Sequence, residues 1–178
     1  MKEKAYIVSL CGVTSAVALL VMFLSGVFPM VDYAVPMYAG FTMVIIIQEA
    51  GAKWAIMTYC SVSILCIFLT PNYQASALFI MFMGYYPILR CGLEKIPASP
   101  IRWALKYAVF NAAIVCYYLV FTKLFTGIEM DDLGWFGKYS IYVTWAGANV
   151  IFFLYDYLIG GLTDLYLNWF RKKIISRK

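Results

Sequence analysis

The sequence predicts an all-α polytopic membrane protein, a six-helix transmembrane bundle with both termini on the cytoplasmic side (N-in/C-in). Three observations lead there. Apolar residues make up 64% of the 178 and charged residues 13%, with mean hydropathy +0.81; soluble domains average about 45–50% and about 25%. The apolar residues gather in six runs separated by short turns, each near the ~20 residues that cross a ~30 Å hydrocarbon core. Basic residues then crowd the turns of one side, the asymmetry that orients such a bundle.

The first helix is expected over 5–28. Lys2 and Lys4 ahead of it imitate a secretory signal, but the run exceeds a signal core and no small-residue cleavage site follows, so it reads as a retained helix. The second, 33–47, carries Pro36 in its first turn, where a missing N–H costs little. The third, 54–69, follows an inner turn. The fourth, 75–89, opens after the short outer turn 71–74, and Pro87 near its end is expected to bend it while neighbours satisfy the freed carbonyls. The longest inner connection, 91–102 with Pro97 and Pro100, leads to the fifth helix, 103–125. The longest outer segment, 126–138, is polar enough to form a lid. The sixth helix, 139–167, runs on toward Phe170 and a basic tail. No internal repeat relates the two halves, so residues 1–178 read as one integral membrane domain.

With the N-terminus inside, twelve of the fourteen Lys and Arg residues fall inside or at the inner boundary, and only Lys123 and Lys138 fall outside. Asp32, Glu129, Asp131 and Asp132 belong to outer turns. The net charge of +5 thus reflects topology and contact with the lipid bilayer, not nucleic acid. The chain contains no histidine, which removes His-ligated zinc, Ser-His and Cys-His pairs and the H-E-x-x-H proteases. Five scattered cysteines without a C-x-x-C read as packing residues, not as a metal knuckle or redox pair. No phosphate-binding loop occurs. The expectation is a protein that is not an enzyme, takes no cofactor or metal, and draws any energy for transport from a partner or an ion gradient.

Helix one carries Gly12 and Ala16 at four-residue spacing among Cys11, Thr14, Ser15 and Ala18. Such small-xxx-small faces let two helices approach closely, either within this bundle or against another subunit. The six-helix N-in/C-in plan, the basic N-terminus and the run from Val8 to Ala18 together resemble the substrate-binding S components of energy-coupling factor (ECF) transporters. In that family an Ala-x-x-x-Ala pattern on helix one meets a separate transmembrane coupling subunit; Gly12 and Ala16 are the matching pair, with Gly in place of the first Ala. The segment Gln48-Glu49-Ala50-Gly51-Ala52-Lys53-Trp54 takes the place of a Gly-Pro-type turn. The resemblance covers the chain in topology and length. It implies uptake of a vitamin-like micronutrient across a bacterial plasma membrane, with an ECF-type coupling subunit and its ATPases as partners. No residues match the ligand sets of the thiamine, riboflavin or biotin members.

The resemblance also places a small-molecule substrate under the outer loops. Asp32 and Tyr33, then Asn72, Tyr73 and Gln74, then Asp131, Asp132 and Trp135 lie there, and rings with a few polar groups suit a planar heteroaromatic ligand. For any single ring, an interfacial aromatic belt is the stronger reading, because amphipathic rings gather at headgroup depth. On helix six, Trp145, Asn149, Asp156, Gly160 and Asp164 form one stripe. Trp145 and Asn149 are candidates for the floor of the ligand pocket, or for interhelical glue with Asn111. Asp156, level with Lys106 and near Arg90, is expected to form a structural charge cluster with them, the alternative being proton coupling. A second functional class stays open throughout: a non-transporting scaffold or assembly partner of another membrane complex.

Overall fold

A computed structural model describes residues 2–26, 32–124 and 140–171. Among them every regular element is helical. We number the helices α1 (Lys2–Leu24), α2 (Ala34–Ala50), α3 (Ala52–Leu69), α4 (Tyr73–Leu93), α5 (Ser99–Leu124) and α6 (Ser140–Leu165), the last continuing as a π turn over Tyr166–Arg171. Five are long and apolar enough to cross a membrane; α2, at 17 residues, is shorter. At 1.5 Å per residue it spans roughly 26 Å, just under the hydrocarbon thickness. Length alone therefore leaves the number of crossings at five or six. In the long helices only 17–39% of residues in the most apolar windows are buried inside the bundle. The outward remainder includes Phe68, Leu20, Val150 and Met57. Helices apolar on all sides need lipid around them.

Consecutive helices run antiparallel, and local chemistry sets each reversal. Gly51 alone joins α2 to α3 at φ 87°, a conformation that a side chain would strain, and its N–H caps α2 by donating to the Ile46 and Ile47 carbonyls. At the opposite end the Pro71 ring fills the space where a Gly26 side chain would stand, tying the exit of α1 to the α3–α4 turn. Asn72, in extended conformation, accepts from the Gln74 and Ala75 N–H groups at 3.0 and 3.1 Å and so starts α4.

Helix α4 is broken rather than bent once. An α segment Tyr73–Leu78 passes into a π segment Phe79–Met83 and then into a second α segment, Tyr86–Leu93, with Pro87 in its first turn. Pro87 has no N–H for the Met83 carbonyl four residues earlier; the buried Tyr155 hydroxyl donates to that carbonyl instead, at 2.9 Å. In the π turn the Gly84 N–H reaches back to Phe79, and the Ile80 carbonyl accepts from Tyr59 at 2.6 Å. The expected repair by neighbours is thus supplied by α3 and α6. Gly40 lets α2 cross here, since a Cβ would collide with the Met83 carbonyl and the Tyr155 hydroxyl.

Two cores result. Ala18 and Met22 of α1, Ala39, Met43 and Ile46 of α2, and Val62 and Cys66 of α3 form one, closed by Phe79. The other is aromatic: Phe82 and Tyr86 of α4, Phe110 of α5, and Phe152 and Tyr155 of α6. Phe110 stacks on Phe152 at 4.4 Å. Helices α2 and α4 contribute to both cores.

The fourth helix extends to Leu93 and the fifth begins at Ser99, so the connection expected over 91–102 shrinks to 94–98. Pro87 and Pro100 each lie in a first helical turn, where proline opens a helix and does not end one.

Candidate functional site

At the end of the bundle where α4 stops and α5 starts, charges enter from three helices. Tyr86 and Arg90 share one face of the second half of α4, and Glu94, the C-cap residue of that helix, continues the four-residue spacing. Arg102 and Lys106 share a face of α5 in the same way, and Asp156 projects from α6. Asp156 Oδ1 accepts from the Tyr86 hydroxyl at 2.6 Å and Arg90 Nε at 2.8 Å, while Oδ2 accepts from Lys106 Nζ at 2.9 Å. Lys106 also donates to Glu94 Oε1 at 2.7 Å, and Glu94 pairs with Arg90 at 3.2 Å and Arg102 at 3.1 Å. Lys106 and Asp156 are only 2 and 3% exposed. Burial on this scale is tolerated because each charge has opposite partners and several hydrogen bonds.

Glu94 lies just beyond the membrane-spanning part of α4. Partial burial pushes its carboxyl up, but the hydrogen bond from Lys106 and the charges of Lys106, Arg90 and Arg102 outweigh this and hold it below the usual carboxylate range. Trp103 stacks against Phe153 at 5.6 Å and carries Lys106 Nζ 4.9 Å from its ring centre. Gly160 gives Arg90 room: a Cβ there would stand 2.9 Å from the guanidinium. Beside the cluster lies a cleft of about 340 Å³ between α5 and α6, closed at one side by Arg90 and Glu94 at the end of α4 and reaching Asp164.

The structure therefore brings Arg90, Lys106 and Asp156 together, and adds Tyr86, Glu94 and Arg102, which sequence reasoning passed over. Their signal was present in the four-residue spacings 86–90–94 and 102–106. Ending the fourth helix at residue 89 hid it by turning Arg90 and Glu94 into loop residues.

At the opposite end the half-buried Asp32 accepts from Asn72 Nδ2 at 2.7 Å. With its oxygen capping α4, Asn72 spends both ends of its amide on the fold. Tyr33 and Tyr73 are exposed and Gln74 half-buried, and Tyr117 of α5 lies close to Asp32, Tyr33 and Gln74. Below Tyr117 an apolar crevice of about 40 Å³ lies between α4 and α5; ligand pockets usually exceed about 300 Å³. Asp131, Asp132 and Trp135 lie outside the described residues.

Trp145 and Asn149 join α6 to α5. Trp145 Nε1 donates to Asn111 Oδ1 at 2.7 Å, and Asn111 Nδ2 donates to Asn149 Oδ1 at 3.3 Å and to the Tyr107 carbonyl at 2.8 Å. Asn149 donates in turn to the Trp145 carbonyl. Interhelical amide bonding accounts for these groups directly.

On α1, Gly12 and Ala16 both face outward, and a Cβ on Gly12 would meet nothing within 4 Å. Ala5 and Ser9 extend the same exposed strip of small residues. Among the described residues this face packs against no other helix of the bundle: α1 turns Thr14, Ala18 and Met22 inward.

No protein-family model, curated protein or solved structure matches this chain.

Proposed function

We propose that this chain is the membrane-embedded substrate-binding subunit of a micronutrient (vitamin-like) uptake transporter of the ECF type. It sits in a bacterial plasma membrane with both termini cytoplasmic, and docks through α1 onto the coupling subunit of an ATP-driven module. The observation that carries the reading is the open face of Gly12 and Ala16. Gly40 serves close packing inside the bundle, against α4 and α6, whereas Gly12 and Ala16 present a flat strip to the outside. Flat strips let a second helix come near enough for dispersion and Cα–H contacts to hold it.

Substrate would enter at the Asp32–Asn72 end, where Tyr33, Tyr73, Gln74 and Tyr117 gather around the polar pair. Binding proceeds without ATP and uptake requires the partner. Co-expression with a candidate coupling subunit tests the docking: Gly12→Trp and Ala16→Trp should fold as the parent does and lose the partner in pull-down. Undiminished pull-down by both variants overturns the assignment of that face. Exposure of the purified chain to a metabolite mixture tests the binding, the expected result being retention of one small heteroaromatic compound.

One observation favours the scaffold reading: Asp32 and Asn72 already satisfy each other, leaving fewer groups for a ligand. A scaffold retains its protein partner and no metabolite, so the two experiments together separate the classes.

A further inference from the structure

We propose that the cleft between α5 and α6 binds a phosphate group joined to a primary ammonium, the headgroup chemistry of phosphatidylethanolamine. This is independent of the transport reading and concerns the opposite end of the bundle from the substrate residues.

Charge balance argues first. Three cations, Arg90, Arg102 and Lys106, and three carboxylates, Glu94, Asp156 and Asp164, line the cleft. The sum is zero, so a purely anionic ligand would gain no net attraction while meeting three carboxylates. A zwitterion matches both signs. The distribution of unused hydrogen-bonding groups argues second. Glu94 and Asp156 are consumed by the internal network. Among the described residues, Asp164 is exposed with no ion pair or hydrogen bond, and Arg102 uses one guanidinium nitrogen, on Glu94. The cleft thus offers a guanidinium for phosphate, in the geometry that favours Arg at such sites, and a separate carboxylate for an ammonium.

Shape and location agree. Gly160 and Gly161 bare the backbone of α6, and a Cβ on Gly161 would meet nothing within 4 Å. The volume, about 340 Å³, has room for a headgroup and not for a whole lipid. The cleft lies at the ends of apolar spans, the depth at which headgroups meet hydrocarbon, with Trp103 and Tyr157 on its walls as amphipathic interface residues. The outward rings and chains of Phe153, Tyr157 and Leu158 continue from it as a surface for acyl tails.

The test uses the full chain in dodecyl maltoside, titrated with dioleoyl phosphatidylethanolamine, phosphatidylcholine or phosphatidylglycerol and read by native mass spectrometry. Phosphatidylcholine carries the phosphate but has no N–H for Asp164, and phosphatidylglycerol carries no ammonium. Retention of phosphatidylethanolamine should exceed both by about tenfold, the effect of one charge-assisted hydrogen bond. Gly161→Phe fills the cleft and raises helix propensity; it should abolish retention with an unchanged melting temperature. Asp164→Asn, a change at an exposed side chain, keeps the fold and should erase the preference over phosphatidylcholine. Competition by water-soluble glycerophosphoethanolamine assigns the site to a soluble ligand of the same chemistry, and failure to compete assigns it to the lipid. Equal or stronger retention of phosphatidylglycerol, or undiminished phosphatidylethanolamine retention in both variants, overturns the proposal.

Discussion

Asp156→Ala is expected to be among the most damaging single substitutions in the chain. The carboxylate holds three donors from two other helices: the Tyr86 hydroxyl, Arg90 Nε and Lys106 Nζ. Breaking a buried ion pair by removing one member costs about 3–5 kcal/mol, because the surviving charge is left without compensation. Here Glu94 remains for Lys106 at 2.7 Å and for Arg90 at 3.2 Å, which puts the electrostatic loss at the lower bound, about 3 kcal/mol. The Tyr86 hydroxyl, wholly buried, also loses its acceptor, adding about 1 kcal/mol. At 2–4 °C per kcal/mol, a total near 4 kcal/mol lowers Tm by roughly 8–16 °C. Thermal unfolding of the detergent-solubilised chain, followed by size-exclusion chromatography after heating, reads this directly. Asp164→Asn serves as the control, since an exposed substitution of this kind changes stability by about 0.5 kcal/mol or less. The double variant Asp156→Leu/Lys106→Met should recover much of the loss, because replacing both members by apolar residues of similar size is often near neutral. A Tm for Asp156→Ala within 2–4 °C, about 1 kcal/mol, of the Asp164→Asn control would show that water reaches the cluster, and that the network does not hold α4, α5 and α6 together.

Two further outcomes follow from the same geometry. Gly40→Ala should cost about 1–3 kcal/mol or more, since its methyl collides with the backbone carbonyl of Met83 as well as with Tyr155; a parent-like melting temperature would mean that α2 and α4 cross less closely than the structure shows. The depressed Glu94 carboxyl contributes stability that is fully present above the ordinary carboxylate value of 4.5 and is lost as pH falls through the lowered folded value. Acid melting curves should therefore steepen below about pH 4.5, close to the unfolded carboxylate value, and Glu94→Gln should flatten that limb; identical acid limbs would exclude Glu94 as the titrating group.

The all-helical membrane character was legible in the sequence, because successive long apolar runs in lipid must satisfy their backbone hydrogen bonds internally. The grouping of Asp156 with Lys106 and Arg90 was legible too, since an ionisable side chain inside a membrane helix requires a partner at its own depth. Glu94 and Tyr86 were not, because Pro87 reads equally as the end of one helix and the start of another. Which it does depends on whether other helices donate to the freed carbonyls, and Tyr155 and Tyr59 do so from α6 and α3.

Composition and loop charge alone thus determined an all-helical membrane bundle. The inward face of each helix was left to the tertiary structure, and the reason is physical. In water, an apolar stripe against a polar one tells core from surface. In lipid both sides of a helix are apolar, so Gly12 and Ala16 on an outward strip and Ala18 in the core look alike in sequence. Only the packing of α1 on α2 and α3 separates them, as only the meeting of α4, α5 and α6 turns scattered charges into a neutral, partnered network.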